Sequence, residues 1–134
     1  MPHVSWLATL VATALAFALG GLWYGPLFGK PWMAEHGFTQ EQLQQGFKPA
    51  KTYGLTAVLA AASSYVFGVF LALLGPHSAG FAVGFGFSVG VFWVAASIAT
   101  NYLFERTSLR LFWINGGYHV VRFSLVGLAF GLLR

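Results

Sequence analysis

Four apolar runs separated by short polar stretches make up most of the chain. Val4 to Trp23, Thr52 to Leu74 and Phe81 to Phe104 carry no charged residue, and Leu111 to Leu133 carries one, Arg122, together with His119. Each run is close to the roughly 20 residues that a helix needs to cross about 30 Å of hydrocarbon. The pattern predicts an all-α integral membrane protein, one transmembrane domain over 1–134, built as a four-helix transmembrane bundle with spans at about 4–23, 52–74, 81–104 and 111–133. The connections Gly75 to Ala79 and Glu105 to Arg110 are short enough to force antiparallel hairpins. The remaining stretch, 24–51, is expected as a short interfacial amphipathic segment. Its start, Trp23 to Trp32, is rich in the aromatics that settle among lipid headgroups. Pro31 suits a first helical turn, and Thr39 with Gln42 has capping-box spacing.

Lipid gives helices no hydrophobic reason to associate, so small residues that let backbones approach must supply the contact. Such stripes recur: Ala8, Ala12, Ala16 and Gly20; Ala60, Ser64, Gly68 and Ala72; Gly80, Gly84 and Ser88, with Gly86 and Gly90 beside them; Gly127 and Gly131. They serve either packing inside one bundle or contact with a second protomer in a homo-oligomer or larger membrane complex.

Composition agrees with the pattern. Of 134 residues, 57% are apolar and 7% charged, against roughly 25% charged in soluble domains. Cysteine is absent, which removes disulfides, thiol chemistry and Cys-ligated metals. The net charge of +4 is spread along the chain and forms no basic stripe, so nucleic acid is not an expected partner. There is no Asp, and His3, His36, His77 and His119 have no i, i+4 partners, so neither a catalytic constellation, a metal site nor a cofactor is expected. A proton-coupled exporter of the small multidrug type would need a carboxylate in the first span, and none lies near Thr13. Ala16-Phe17-Ala18 mimics a signal-peptide cleavage site, but Met1-Pro2-His3 lacks the required basic residues. Lys30, Lys48, Lys51, Arg106 and Arg110 lie on one side of a four-span chain and Arg134 on the other, which predicts periplasmic termini.

The fourth run holds the residues least suited to lipid. Asn115, Tyr118, His119 and Arg122 are spaced i, i+3, i+4, i+7 and share one helical face. An arginine near the bilayer centre costs about 2.5–3.5 kcal/mol on insertion scales, so this stripe should point into the bundle. At its depth the other spans offer Thr13, Ser63, Ser64, Tyr65, Ser88, Trp93 and Ser97 but no carboxylate. Two readings follow: interhelical glue satisfied by hydroxyls and carbonyls, or an anion site for a lipid phosphate, a carboxylate or a quinone-like carbonyl. Asn101 and Glu105, i, i+4 neighbours closing the third run, are candidates to meet Asn115 across the turn, with Arg106 or Arg110 as ion-pair partners for Glu105.

Three motifs, Trp23-Tyr24-Gly25-Pro26-Leu27-Phe28-Gly29-Lys30-Pro31-Trp32, Thr100-Asn101-Tyr102-Leu103-Phe104-Glu105 and Leu111-Phe112-Trp113-Ile114-Asn115-Gly116-Gly117-Tyr118-His119, occur in that order. In them the chain resembles the domain of unknown function 1761 family of small bacterial four-span proteins. The resemblance implies a bacterial inner-membrane protein and brings no activity. The expected function is a non-enzymatic module that binds a membrane lipid, another amphiphile or a partner membrane protein through Asn115, Tyr118, His119, Arg122, Asn101 and Glu105. The alternative is a small oligomeric transporter or permease. An aqueous path along Ser63, Ser97, Asn101 and Asn115 would favour transport, and a dry groove beside Arg122 would favour binding.

Overall fold

Helix starts follow from local capping. Ser5, Ser78 and Ser108 accept the N–H groups of Ala8, Phe81 and Leu111 at 3.0, 3.0 and 3.1 Å, each satisfying a donor that a helix start leaves open. The computed structural model describes residues 3–133; Arg134, which enters the charge count, lies outside the described residues. Helix α1 (Trp6–Leu22) runs on into a π-helical turn, Trp23–Leu27, in which Phe28 N–H reaches the Trp23 carbonyl at 2.7 Å past Pro26, which has no N–H to give. Helix α2 (Gly29–His36) ends at Gly37, whose φ of 72° is the left-handed conformation glycine adopts freely. Helix α3 (Gln40–Gln44) opens with the expected capping box between Thr39 and Gln42. Helix α4 (Pro49–Leu73) begins with proline in its first turn. Helix α5 (Ala79–Ser88), a π-helical stretch (Val89–Ala95) and α6 (Ala96–Glu105) form one continuous rod, and α7 (Leu109–Leu132) returns antiparallel to it.

No strand occurs among the described residues. Among the described residues, three helices are long and apolar enough to cross a membrane: Trp6–Leu27, Pro49–Leu73 and Ala79–Glu105. The fourth long helix, α7, has 24 residues but interrupts its apolar run with Asn115, His119 and Arg122. It occupies the centre of the packing, with Leu111, Ile114, Phe123, Val126, Ala129 and Phe130 buried.

The α5–α6 rod lies on α7 through small residues. A Cβ on Gly86 or Gly127 would collide with the backbone of Phe123 or Ala82, and one on Gly90 would stand 2.7 Å from the Val120 Cα. Ala82, Gly86 and Gly90 recur every four residues, but the next contact, Ala95 against Gly116, comes five later. The π-helical stretch between them supplies the fifth residue and holds both on the face towards α7. Of the small residues expected in this span, Gly86 and Gly90 are buried in the packed stripe, whereas Gly80, Gly84 and Ser88 are exposed. In the other helices the expected small residues Ala8, Ala12, Ala16, Ala60, Ser64, Gly68, Gly127 and Gly131 are buried. Since lipid is as apolar as Leu, the gain lies in close contact rather than in leaving water.

Candidate functional site

Helices α1 and α4 meet at one end and separate at the other. Near Ser5 and Leu71 they close up through Val4, Ala8, Ala12, Phe67 and Leu71, all buried, with Trp6 stacked on Tyr65 at 5.2 Å. Towards Gly21 and Thr52 they open into a groove of about 820 Å³, completed by α7. Its depth is formed by Ala16, Ala60 and Arg122, which are buried, and its rims by Phe17, Gly21, Thr52, Tyr53, Thr56 and Leu59, which are exposed.

Arg122, only 9% exposed, is the charge in this groove. One guanidinium nitrogen, Nη2, donates to Ser63 Oγ, which in turn donates to the Ala60 carbonyl at 3.1 Å. The guanidinium carbon stands 4.5 Å from the Phe123 ring centroid, a cation–π contact. No carboxylate among the described residues pairs with it. Tyr118 and His119 also line the groove; Tyr118 donates its hydroxyl to the Ala16 carbonyl at 2.9 Å, and His119 Nδ1 is enclosed without a hydrogen-bond partner.

Asn115 is drawn elsewhere. Its Oδ1 accepts from Tyr24 Oη at 2.7 Å and its Nδ2 donates to Tyr102 Oη at 2.7 Å, so the side chain joins the π-helical turn after α1 to α6. From the residue before Tyr24, Trp23 Nε1 donates to the carbonyl of Ile114, the residue before Asn115, at 2.8 Å, and its ring lies over Gly117, where a Cβ would come to 3.1 Å. Trp23 is thus turned against α7. Tyr24 packs on Tyr118 at 5.4 Å between ring centroids and lines the groove, so this knot forms one of its walls.

Asn101 and Glu105 do not join it. Both are exposed, and Tyr102 is the residue that reaches Asn115, because neighbours on a helix are rotated by about 100°. Glu105 accepts from Thr107 Oγ1 at 3.5 Å, while Arg110 lies 3.7 Å from Glu35 of α2 instead. Trp23, Tyr24 and Tyr102 were not singled out as site residues, although all three stand in the motifs above; Thr52 and Thr56 gave only the weak signal of i, i+4 hydroxyls at the start of an apolar run. No group of three or more His, Asp or Glu side chains able to hold a metal occurs among the described residues.

An all-helical chain with three crossing-length apolar helices is a membrane protein. It belongs to the family described as "Protein of unknown function (DUF1761)", which it matches over residues 7–131. No curated protein and no solved structure matches it. The three motifs that carry the resemblance converge on the knot of Trp23, Tyr24, Tyr102, Asn115 and Tyr118.

Proposed function

We propose that the protein is a non-enzymatic module of the bacterial inner membrane that holds an amphiphile, such as a membrane lipid, in the groove between α1, α4 and α7. The observation that carries this reading is Arg122, buried at the deep end of that groove with no carboxylate among the described residues beside it. Helix α7 then makes the fourth crossing: its 24 residues are long enough, and Tyr118, His119 and Arg122 face protein and groove rather than acyl chains. The loops carrying Lys30, Lys48, Lys51, Arg106 and Arg110 face the cytoplasm, with α2 and α3 along the membrane surface and the termini periplasmic. Transport is the weaker reading. Of the four residues that would line an aqueous path, Ser63 is in the groove, Ser97 and Asn101 are exposed, and Asn115 is engaged by two tyrosines.

The test compares wild type with Gly21→Leu by native mass spectrometry from mild detergent. Gly21 lines the groove, and a Cβ there meets nothing within 4 Å, so the leucine can fill space without a clash. Wild type should carry an amphiphile that the variant lacks, and the same spectra give the subunit count of any homo-oligomer. Equal loading of the two proteins removes the groove as the binding site.

A further inference from the structure

We propose that the occupant of the groove is a single-chain amphiphile with an acidic head, a carboxylate or a group of the same bidentate chemistry, seated head-inward on Arg122. This deepens the proposed function and rests on it.

A guanidinium has five N–H donors and no acceptor. Among the described residues, one nitrogen of Arg122 is engaged by Ser63, the ring of Phe123 covers a face, and no carboxylate is present. A neutral partner leaves a buried charge uncompensated, whereas an acid with two oxygens supplies both the counter-charge and the matching fork geometry. Tyr118 and His119 line the groove beside the same position.

The walls determine the rest of the molecule. Ala16, Phe17, Leu59 and Ala60 border the groove with alkyl and ring surface, which suits a hydrocarbon chain. The hydroxyls nearer the loops do not compete for the acid. Thr52, Tyr53 and Thr56 are uncharged, and Thr56 already donates to the Thr52 carbonyl at 2.7 Å. The head therefore goes deep and the chain leaves towards the rim formed by Phe17 and Leu59. A groove of about 820 Å³ is small-ligand sized, within the roughly 300–1,000 Å³ of such sites. We assign it to one chain.

The probes are hexadecanoate, hexadecanol, acetate and the two-chain phosphatidylglycerol, titrated against purified wild type, Arg122→Leu, Arg122→Lys and Gly21→Leu in neutral detergent. Wild type should bind hexadecanoate at least about tenfold more tightly than hexadecanol, as a charge-assisted contact implies. Arg122→Leu should abolish that preference while keeping hexadecanol, Arg122→Lys should keep only part of it, and Gly21→Leu should weaken both alkyl probes together. If Arg122→Leu does not fold, the lysine and Gly21 variants decide. Equal binding of the two alkyl probes by wild type overturns the acidic head and leaves the groove reading intact. Phosphatidylglycerol matching hexadecanoate overturns the single chain, again leaving the groove reading intact. Acetate matching hexadecanoate shows that the walls contribute nothing and overturns both. Failure of every probe, with Gly21→Leu indistinguishable from wild type, removes the groove reading and this inference with it.

Discussion

The half of the molecule around Ser5 and Leu71 and the half around Gly21 and Thr52 are built from the same helices by opposite means. In the first, alanines and glycines bring α1, α4, α5 and α7 into direct contact, and apolar side chains such as Leu71 and Val126 fill what remains. In the second, aromatic and polar side chains occupy the interface: Trp23, Tyr24, Tyr102, Asn115 and Tyr118 tie α7 to the end of α1 and to α6, while α4 stands apart and leaves the groove. Small residues let the helices close on one another, and side chains such as Phe67, Leu71 and Val126 fill the gaps between them. Room for a ligand arises where large side chains hold two helices together by hydrogen bonds and the third is not drawn in.

The largest effect that separates the halves should come from adding one methyl group to a glycine. In Gly86→Ala and Gly127→Ala the new Cβ meets the carbonyl of Phe123 or Ala82, backbone that has no rotamer to change. Each should lose about 3 kcal/mol or more of stability, the upper range of overpacking. Gly21→Ala meets nothing within 4 Å and should be neutral or gain up to about 1 kcal/mol from helix propensity. Thermal unfolding of the three variants in detergent checks the order. A Gly21→Ala loss as large as that of Gly127→Ala would show that the open half is packed as tightly as the closed one.

How much of this was legible in the sequence follows the same division. The apolar runs located the long helices because a crossing segment must be apolar along its length, and the capping box at Thr39 located α3. The face shared by Tyr118, His119 and Arg122 followed from helical spacing. Three things were not legible. The packed face of the third run takes the four-residue register of Ala82, Gly86 and Gly90 rather than the parallel one of Gly80, Gly84 and Ser88, and the π-helical stretch Val89–Ala95 then moves it by one residue to Ala95, a shift no fixed period anticipates. The partners of Asn115 come from 91 residues before it and 13 residues before it, and pairings at such distance leave no periodic trace. The groove is a divergence between α1 and α4, a property of neither helix alone.

A smaller effect should sharpen the account of the aromatic knot. Tyr24→Phe keeps the ring against Tyr118 but removes the donor to Asn115 Oδ1. Leaving that acceptor unsatisfied in a partly buried site should lower stability by about 1–3 kcal/mol. Asn115→Ala alone should also destabilise, and the double variant should lose less than the sum of the two, because the bond can be lost only once. Strict additivity in this cycle would mean that Tyr24 and Asn115 act separately, and the knot would then not be what holds α7 to the end of α1.

The smallest effect concerns how α2 is held against α7. Arg110 and Glu35 stand 3.7 Å apart with side chains 62% and 23% exposed, too far for a hydrogen bond and with the guanidinium side largely in solvent. Such pairs are worth about 0.2–1 kcal/mol and are weakened by salt. The ring contact of Trp32 with Tyr24, at 6.3 Å, joins α2 to the knot without relying on charge, and Trp32 also packs on His36 at 4.5 Å and Phe38 at 6.0 Å within the segment. Cleavage by a glutamate-specific protease after Glu41, which is exposed in α3, reports how often α2 and α3 detach. Glu35→Gln should speed cleavage less than twofold at low salt and leave it unchanged at high salt, whereas Trp32→Ala should speed it severalfold at both. If the two variants behave in the reverse order, charge rather than aromatic packing holds α2 against the knot and α7.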